Sequence, residues 1–231
     1  MPFSGGVPVH SNEYSTVSDI IQRRRTWKVL ADPASPRILP DDLRARLDPL
    51  VRDAVIQSGW APFHYARNHD GVAVPWRFHI IHSQMCRELA KKLPDWFQDI
   101  KPNNKLPAML SACGALVLVN WLPQFDEETA NLKQVQINEE HLAAASAAVQ
   151  NLLLLLTAAG LGTYWSSGGF FRSSEMAAKL GIEPAEKLIA AVFIDYLPEQ
   201  AMEGFEKIGG KHRDSREPHL EWVSEVDSLE Q

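Results

Sequence analysis

The apolar positions along the chain follow two kinds of pattern, one typical of helices and one typical of buried strands. After Asp41 and Asp42, the leucine, valine and alanine positions up to Val55 recur at helical spacing and predict a helix. Short stretches rich in β-forming residues at 78–82, 114–120 and 188–197 predict central strands that are buried on both faces. Helices are predicted between them, at residues 84–93, about 138–159 and 174–180. These elements predict one α+β or α/β sandwich domain built on a mixed sheet.

One apolar segment is long enough to raise the question of a membrane span. Residues 142–161 contain no charged side chain and are about as long as a bilayer crossing. Gln150 and Asn151 lie in the middle of this segment, where amides would be unfavourable in a membrane. We therefore interpret the segment as a buried helix of a globular domain that ends near Gly160 and Gly162, and we expect no membrane partner.

The two ends of the chain differ from its middle. Residues 1–18 are polar and rich in Gly, Pro and Ser, and they predict a flexible arm or one that embraces a partner. A helix is predicted to start near Val17 and to run into Arg23-Arg24-Arg25. No internal repeat or linker is visible, so residues 19–216 are predicted to form a single domain and residues 217–231 a C-terminal extension.

Composition narrows the class of protein. A hydrophobic fraction of 45% is too high for a disordered chain, and a net charge of −6 argues against a general nucleic-acid binder. The two cysteines are Cys86 and Cys113, and the apolar neighbours of Cys113 indicate a buried free thiol. The N-terminal residues do not resemble a signal peptide, so a reducing, cytoplasmic setting is the expectation.

Common catalytic signatures are missing from the sequence. There is no Walker loop, glycine-rich dinucleotide turn, HExxH, paired CxxC or GxSxG motif. The eight histidines show no metal-ligand spacing with acids or cysteines, so no metal site is predicted. His79 and His82 flank a predicted strand, and we interpret them as residues at the edge of the core.

Two basic clusters remain, at residues 23–28 and 211–213. Arg and Lys side chains that converge with a hydroxyl are what a phosphate monoester requires. The first cluster leads directly into Trp27, Val29 and Leu30, which indicates that the chain turns inward there. Solvated surface charge is the alternative for both clusters, and spacing alone leaves the two interpretations open.

Five motifs, in matching order, resemble those of the FMN-dependent nitroreductase family and together extend from about Ile20 to Arg216. They are Arg24-Arg25-Thr26-Trp27-Lys28, Ala61-Pro62 with Pro75-Trp76-Arg77-Phe78, residues 148–152 with 160–165 (AVQNL and GLGTYW), Leu180-Gly181-Ile182-Glu183-Pro184, and Gly210-Lys211-His212-Arg213. The resemblance implies a three-layer α/β/α sandwich with a mixed central sheet, assembled as an intertwined homodimer with two FMN sites at the interface.

The resemblance also implies roles for particular residues. The first basic cluster would hold the FMN phosphate and the N1/O2 side of the ring, the second would close on the phosphate, and the residues after position 164 would present backbone amides near N5. The element at 62–64 would come from the other subunit. The implied cofactor-binding residues are Arg24, Arg25, Thr26, Lys28, Pro62, Phe63, His64, Gln150, Trp165, Ser166, Ser167, Gly168, Lys211 and Arg213.

The sequence departs from the family pattern between its two proline motifs. The Ser-Ser and Asn-x-Gln of the family are replaced by Phe63-His64-Tyr65-Ala66 and a polar loop at residues 67–74. In the family these residues contact the pyrimidine edge of the flavin or the substrate, so their replacement affects the choice of acceptor. Phe63, His64 and Tyr65 either line a tighter aromatic pocket or only pack the dimer seam, and both interpretations stay open.

The function expected from the resemblance is an FMN-dependent NAD(P)H oxidoreductase. It would pass electrons from NADH or NADPH through the flavin to a small organic acceptor such as a nitroaromatic or a quinone. This scheme requires no acid–base side chain, so no catalytic residue is assigned. Two alternatives remain: a divergent chemistry such as flavin destruction, dehalogenation or substrate dehydrogenation, and an FMN-binding protein without turnover.

Overall fold

The computed structural model describes residues 11–68, 71–98, 100–101 and 103–196, together with the backbone of residues 205–209. Helices and strands alternate along this part of the chain. They are α1 Asn12–Arg23, β1 Thr26–Val29, α2 Asp41–Ser58, β2 Trp76–His82, α3 Ser83–Trp96, α4 Leu106–Ala112, β3 Ala115–Trp121, α5 Leu132–Ala158, β4 Leu161–Ser166, a 3₁₀ turn Gly169–Arg172, α6 Ser174–Leu180, β5 Lys187–Tyr196 and β6 Phe205–Gly209.

The described strands form one six-stranded sheet in the order β2-β3-β5-β4-β1-β6. Strand β1 runs parallel to β4, whereas the other neighbouring pairs are antiparallel, so the sheet is mixed as predicted. Every residue of β3 is buried, and so are Leu188 and residues 190–195 of β5. The three predicted strands are therefore confirmed, with boundaries that shift by one or two residues, and β3 and β5 are central as predicted. The prediction that the first strand is central and buried on both faces is wrong, because β2 pairs only with β3 at an edge of the described sheet and is largely not buried.

Helices cover both faces of the sheet because successive strand side chains point to opposite sides. On one face, α2 and α5 pack against Val117, Val119 and Val192. On the other face, α3, α4 and α6 pack against Leu116, Leu118 and Phe193. These two apolar clusters make the molecule a three-layer α/β/α sandwich, which confirms the predicted fold class.

Helix α5 is long and apolar enough, by length and composition alone, to be a candidate membrane span among the described residues. It packs against α2, β3 and β4, and Val149, Leu152 and Leu156 on it are fully buried. Gly160 follows the helix with a φ of 77°, a left-handed value that suits glycine and ends the helix where the sequence predicts. The prediction of a helix that packs into a globular core is therefore confirmed.

Two predicted helix starts are wrong. Helix α1 begins at Asn12 rather than near Val17, because the Ser11 hydroxyl accepts a hydrogen bond from the Tyr14 N–H at 3.2 Å and caps the helix. Helix α5 begins at Leu132 rather than 138, because Asn131 and Gln134 form a reciprocal capping box. Residues 12–18 of the predicted arm are thus helical. Residues 1–10 and the predicted extension at 217–231 lie outside the described residues.

Candidate functional site

A cavity of about 460 Å³ lies beside β1 and β4, within the size range of roughly 300–1,000 Å³ that small-molecule sites occupy. Its lining combines one cation, hydroxyl and amide groups, and an apolar surface. Five of its seven lining residues belong to the set predicted from sequence. The lining residues are Arg24, Thr26, Gln150, Leu153, Trp165, Ser167 and Ile189.

The end of α1 and the start of β1 form the polar wall of this cavity. Arg24 caps the C-terminus of α1, where its N–H donates to the Ile20 carbonyl at 3.0 Å. Thr26 is the first residue of β1 and pairs with Thr163 of β4. A single helix-to-strand junction therefore contributes a guanidinium and a hydroxyl to the cavity lining, which fits the first of the two interpretations of this basic cluster.

The rest of the lining is mostly apolar and is here called the apolar wall; it also includes the Gln150 amide and the Ser167 hydroxyl. Trp165 is 40% exposed, and its indole N–H donates to the Ile189 carbonyl at 3.3 Å, which fixes the ring beside β5. Leu153 and Ile189 extend the apolar surface, and Gln150 stands one helical turn before Leu153 on α5. Sequence reasoning missed Leu153 and Ile189, because apolar residues on a core helix and a core strand give no signal of a ligand.

The segment after Trp165 differs partly from its prediction. Trp165 and Ser166 were predicted to lie in a loop, but both belong to β4, because they pair with Val192 and Ala191 of β5. Ser167 and Gly168 do form the turn that follows. Gly168 has a φ of 106° and its N–H donates to the Ser166 hydroxyl at 3.3 Å.

Two other predicted residues of the first cluster do not line the cavity. Arg25 folds back, and its Nη1 donates to the backbone carbonyls of Gln22 and, at 3.2 Å, of Arg24. The Lys28 ammonium lies 4.9 Å from the ring centroid of Tyr164. Lys211 and Arg213 lie outside the described residues.

The predicted element at 62–64 lies at the other edge of the sheet. Pro62, Phe63 and His64 are exposed, and Phe63 packs edge-on against Trp76 at the start of β2, with ring centroids 5.5 Å apart. Strand β2 is the edge strand of the described sheet, and none of Pro62, Phe63 and His64 lines the cavity of their own chain.

A second polar site, not predicted from sequence, borders another cavity, of about 810 Å³. Its centre is Glu186, whose side chain is 2% exposed and accepts from Arg77 Nη1 at 2.8 Å, from His79 Nε2 at 2.6 Å and from Asn120 Nδ2 at 2.7 Å. His79 is thus hydrogen-bonded to a buried carboxylate. His82 caps α3, where its Nδ1 accepts a hydrogen bond from the Met85 N–H at 3.4 Å. Arg77 at this site is paired with Glu186, and Lys187 in the cavity lining is paired with Glu127.

Comparisons with known proteins identify the family to which the chain belongs. A model of the nitroreductase family matches residues 22–194. The Bacillus subtilis protein named "Putative NAD(P)H nitroreductase YfhC" is 25% identical over 201 residues, which cover 83% of this chain and 89% of that protein.

Solved structures show the same fold. A nitroreductase-like family protein from Bacillus cereus superposes with a TM-score of 0.56 at 20% identity, over 88% of this chain and 95% of the other. A nitroreductase with bound FMN from Bacteroides fragilis superposes with a TM-score of 0.50 at 17% identity, over 87% of this chain and 97% of the other. With the family model matching most of its length, the chain belongs to the nitroreductase family of oxidoreductases.

Proposed function

We propose that the protein is an FMN-dependent oxidoreductase that takes electrons from NADH or NADPH and passes them to a small organic acceptor such as a nitroaromatic or a quinone. The observation that carries the proposal is the cavity that Arg24 and Thr26 line together with the apolar wall. FMN has the matching shape, with a dianionic phosphate at one end and a flat aromatic ring at the other. FMN in the Bacteroides fragilis structure and NAD(P)H in the name of the Bacillus subtilis relative support this choice.

Arg24 and Thr26 are proposed to bind the phosphate. A guanidinium and a hydroxyl donate charge-assisted hydrogen bonds to phosphate oxygens, which fix its position as well as its charge. Gly209 of β6 pairs with Thr26, and Lys211 and Arg213 follow two and four positions later in the sequence. This order supports the proposal that the second basic cluster serves the same phosphate.

The apolar wall is proposed to hold the ring. Trp165, Leu153 and Ile189 offer a surface for stacking, and the Gln150 amide can both donate to and accept from the polar edge of the ring. The resemblance assigns Lys28 to the N1/O2 side of the ring, but its ammonium lies 4.9 Å from the Tyr164 ring centroid and Lys28 does not line the cavity, so it has no role in this proposal. When bound, FMN supplies the hydride and electron chemistry, and the side chains that line the cavity bind and orient it.

The functional unit is proposed to be a homodimer. Tyr14, Val17 and Ile21 are 57%, 52% and 47% exposed on α1, an unusual density of apolar surface on one short helix. Beside them an apolar groove of about 310 Å³ runs between α1, α2 and α5. A second copy on this face would cover both features, and it would let the 62–64 element of each chain reach the cavity of its partner.

Two adjacent arginines provide a matched test. Replacing Arg24 with Ala removes a phosphate ligand and should weaken FMN affinity about ten- to a hundredfold, because a hydrogen bond to a charged group contributes roughly 1.5–3 kcal/mol. Arg23 is the control: it pairs with Asp19 at 2.6 Å on the exposed side of α1, so Arg23→Ala should leave the affinity nearly unchanged. Titration of each flavin-free variant with FMN, followed by flavin fluorescence, measures the two affinities. Equal affinities of the two variants would place the phosphate elsewhere.

A further inference from the structure

Two buried polar side chains on α5 take no part in the cavity and hold loops instead. His141 is 1% exposed, and its Nε2 lies 3.0 Å from the Tyr65 carbonyl while its Nδ1 lies 3.3 Å from the Leu122 carbonyl. Both partners are backbone carbonyls, which accept hydrogen bonds from a ring N–H, and the contact with Tyr65 is the shorter of the two. His141 thus joins residues 61–68, here called the aromatic loop, to the segment 122–125 that follows β3.

Further hydrogen bonds tie these two segments together. Within the aromatic loop, the buried Arg67 donates from Nε to the Pro123 carbonyl at 3.3 Å, and the Asn68 N–H donates to the Gln124 side chain at 2.7 Å. One turn before His141, Asn138 Oδ1 accepts from the Gln124 and Phe125 N–H groups at 2.9 and 3.2 Å. The N-terminal half of α5 is therefore the support on which both segments rest.

The aromatic loop depends on these polar contacts for its position. It contains no helix or strand, and residues 62–66 are all exposed, so little apolar burial holds it. Its described aromatic contact with the domain is the edge-on pair of Phe63 and Trp76. Loss of the His141 contact would therefore let the loop sample other positions without disturbing the sheet.

We propose that His141 is a positioning residue that holds the aromatic loop in place and thereby selects which acceptor can approach the flavin. The proposal rests on the function proposed above, because the aromatic loop reaches a flavin cavity only across a dimer. His141 acts through the loop and touches no reacting atom. His141 lies on α5, three residues after Asn138 and nine before Gln150. In the proposed dimer, the same helix therefore supports the aromatic loop, which serves the partner's site, and contributes Gln150 to the cavity of its own chain.

The test compares three variants of the full chain. His141→Leu removes the hydrogen bond, and His141→Gln retains a side-chain N–H of similar reach. Leu47→Ala is the control, because it creates a cavity at a fully buried position on α2, away from the aromatic loop. Hydrogen exchange is measured by mass spectrometry on peptides that contain the Arg67 and Asn68 amides, both of which are hydrogen-bonded. Steady-state kcat and KM are measured with NADH for 1,4-benzoquinone and for a bulkier naphthoquinone.

The expected result is specific to the histidine. His141→Leu should exchange the loop amides about fivefold faster and shift the ratio of the two quinone kcat/KM values about fivefold through KM, because one hydrogen bond contributes roughly that factor. His141→Gln should restore the exchange rate of the loop amides and the ratio of the two quinone kcat/KM values. Leu47→Ala should change neither quantity, and FMN affinity should be the same in all variants. Unchanged exchange in His141→Leu would overturn the positioning role, and faster exchange with a flat acceptor profile would overturn the role in selection. If the wild-type protein bound no FMN, the proposed function would fail, and the exchange data would still decide the positioning role.

Discussion

Glu186 and Asp195 are both buried carboxylates, yet their pKa values move in opposite directions. Burial raises the pKa of Asp195, and the charge and hydrogen bond of Arg37 offset this only in part. Burial also works to raise the pKa of Glu186, but hydrogen bonds from His79, Asn120 and Arg77, with the charge of His79, outweigh it, so this pKa is lowered. Burial is the largest influence on the pKa of each carboxylate, and its partners outweigh it only at Glu186.

The lowered pKa of Glu186 gives a prediction for acid stability. A carboxylate whose pKa is lower in the folded than in the unfolded chain stabilises the fold above the ordinary glutamate value of 4.5, and this stabilisation is lost as the pH falls through the folded-state pKa. Glu186→Gln should reduce the free energy of unfolding by about 1.5–3 kcal/mol at pH 7, the usual contribution of hydrogen bonds to a charged group. The difference from the wild type should shrink below about pH 4.5. Urea unfolding at several pH values measures it, and a difference independent of pH would contradict the prediction.

Individual site residues differ in how far the sequence could reveal them. Arg24 and Thr26 could be predicted because both lie in one short motif at a single helix-to-strand junction. The partners of Glu186 lie 66 to 109 positions away in the chain, so only the register of the sheet brings them together. Lys28 has the spacing of a cavity residue, but its ammonium lies over Tyr164, a side-chain choice that spacing does not determine.

At the scale of elements, the sequence predicted β2, β3 and β5, because each contains a stretch rich in β-forming residues. It did not place β2 at the sheet edge, because a short apolar stretch does not show how many neighbours its strand has. The strands β1, β4 and β6 were missed because they have four to six residues, too few for a clear pattern. The cavity lies where β1 and β4 meet. Its position in the sheet could not be predicted, because these two strands were among those that the sequence pattern did not reveal.

The turn after β4 offers a test on two adjacent glycines. Gly168 has a φ of 106°, and a Cβ there would lie 2.4 Å from Leu188 Cδ2, whereas Gly169 has a φ of 52° and nothing within 4 Å of such a Cβ. Gly168→Ala should therefore cost about 2–6 kcal/mol through backbone strain and overpacking, and Gly169→Ala only about 1–2 kcal/mol through its left-handed backbone.

Thermal unfolding followed by circular dichroism compares these two glycine variants, and flavin titration shows whether the turn also shapes the cavity. If Gly168 supports the cavity beside Trp165, its variant should lose FMN affinity and Gly169→Ala should retain it. Equal melting temperatures of the two variants would show that Leu188 moves aside at little cost.

At the scale of the whole molecule, the sheet separates the two parts of the proposed site. The cavity lies beside β1, β4 and β5, and the aromatic loop lies beside β2, at one edge of the described sheet. Within one chain the loop does not line the cavity. Under the proposed function, a second copy brings its own loop across the interface, so we propose that the dimer completes the site and is not only a source of stability.

Breaking the dimer should consequently remove the flavin as well. Val17→Glu with Ile21→Glu places two charges on the apolar face of α1, at positions that are about half exposed in the single chain, so the fold itself should tolerate them. Light scattering should show a species near 25.9 kDa for this double variant and near twice that mass for the wild type. Ile38→Glu is the control, because Ile38 is 84% exposed on a separate loop and its variant should stay dimeric. The monomeric variant should lose most of its FMN even though Arg24 and Thr26 are unchanged, since the partner's loop is missing. A folded monomer that retains FMN with wild-type affinity would show that each chain holds a complete site.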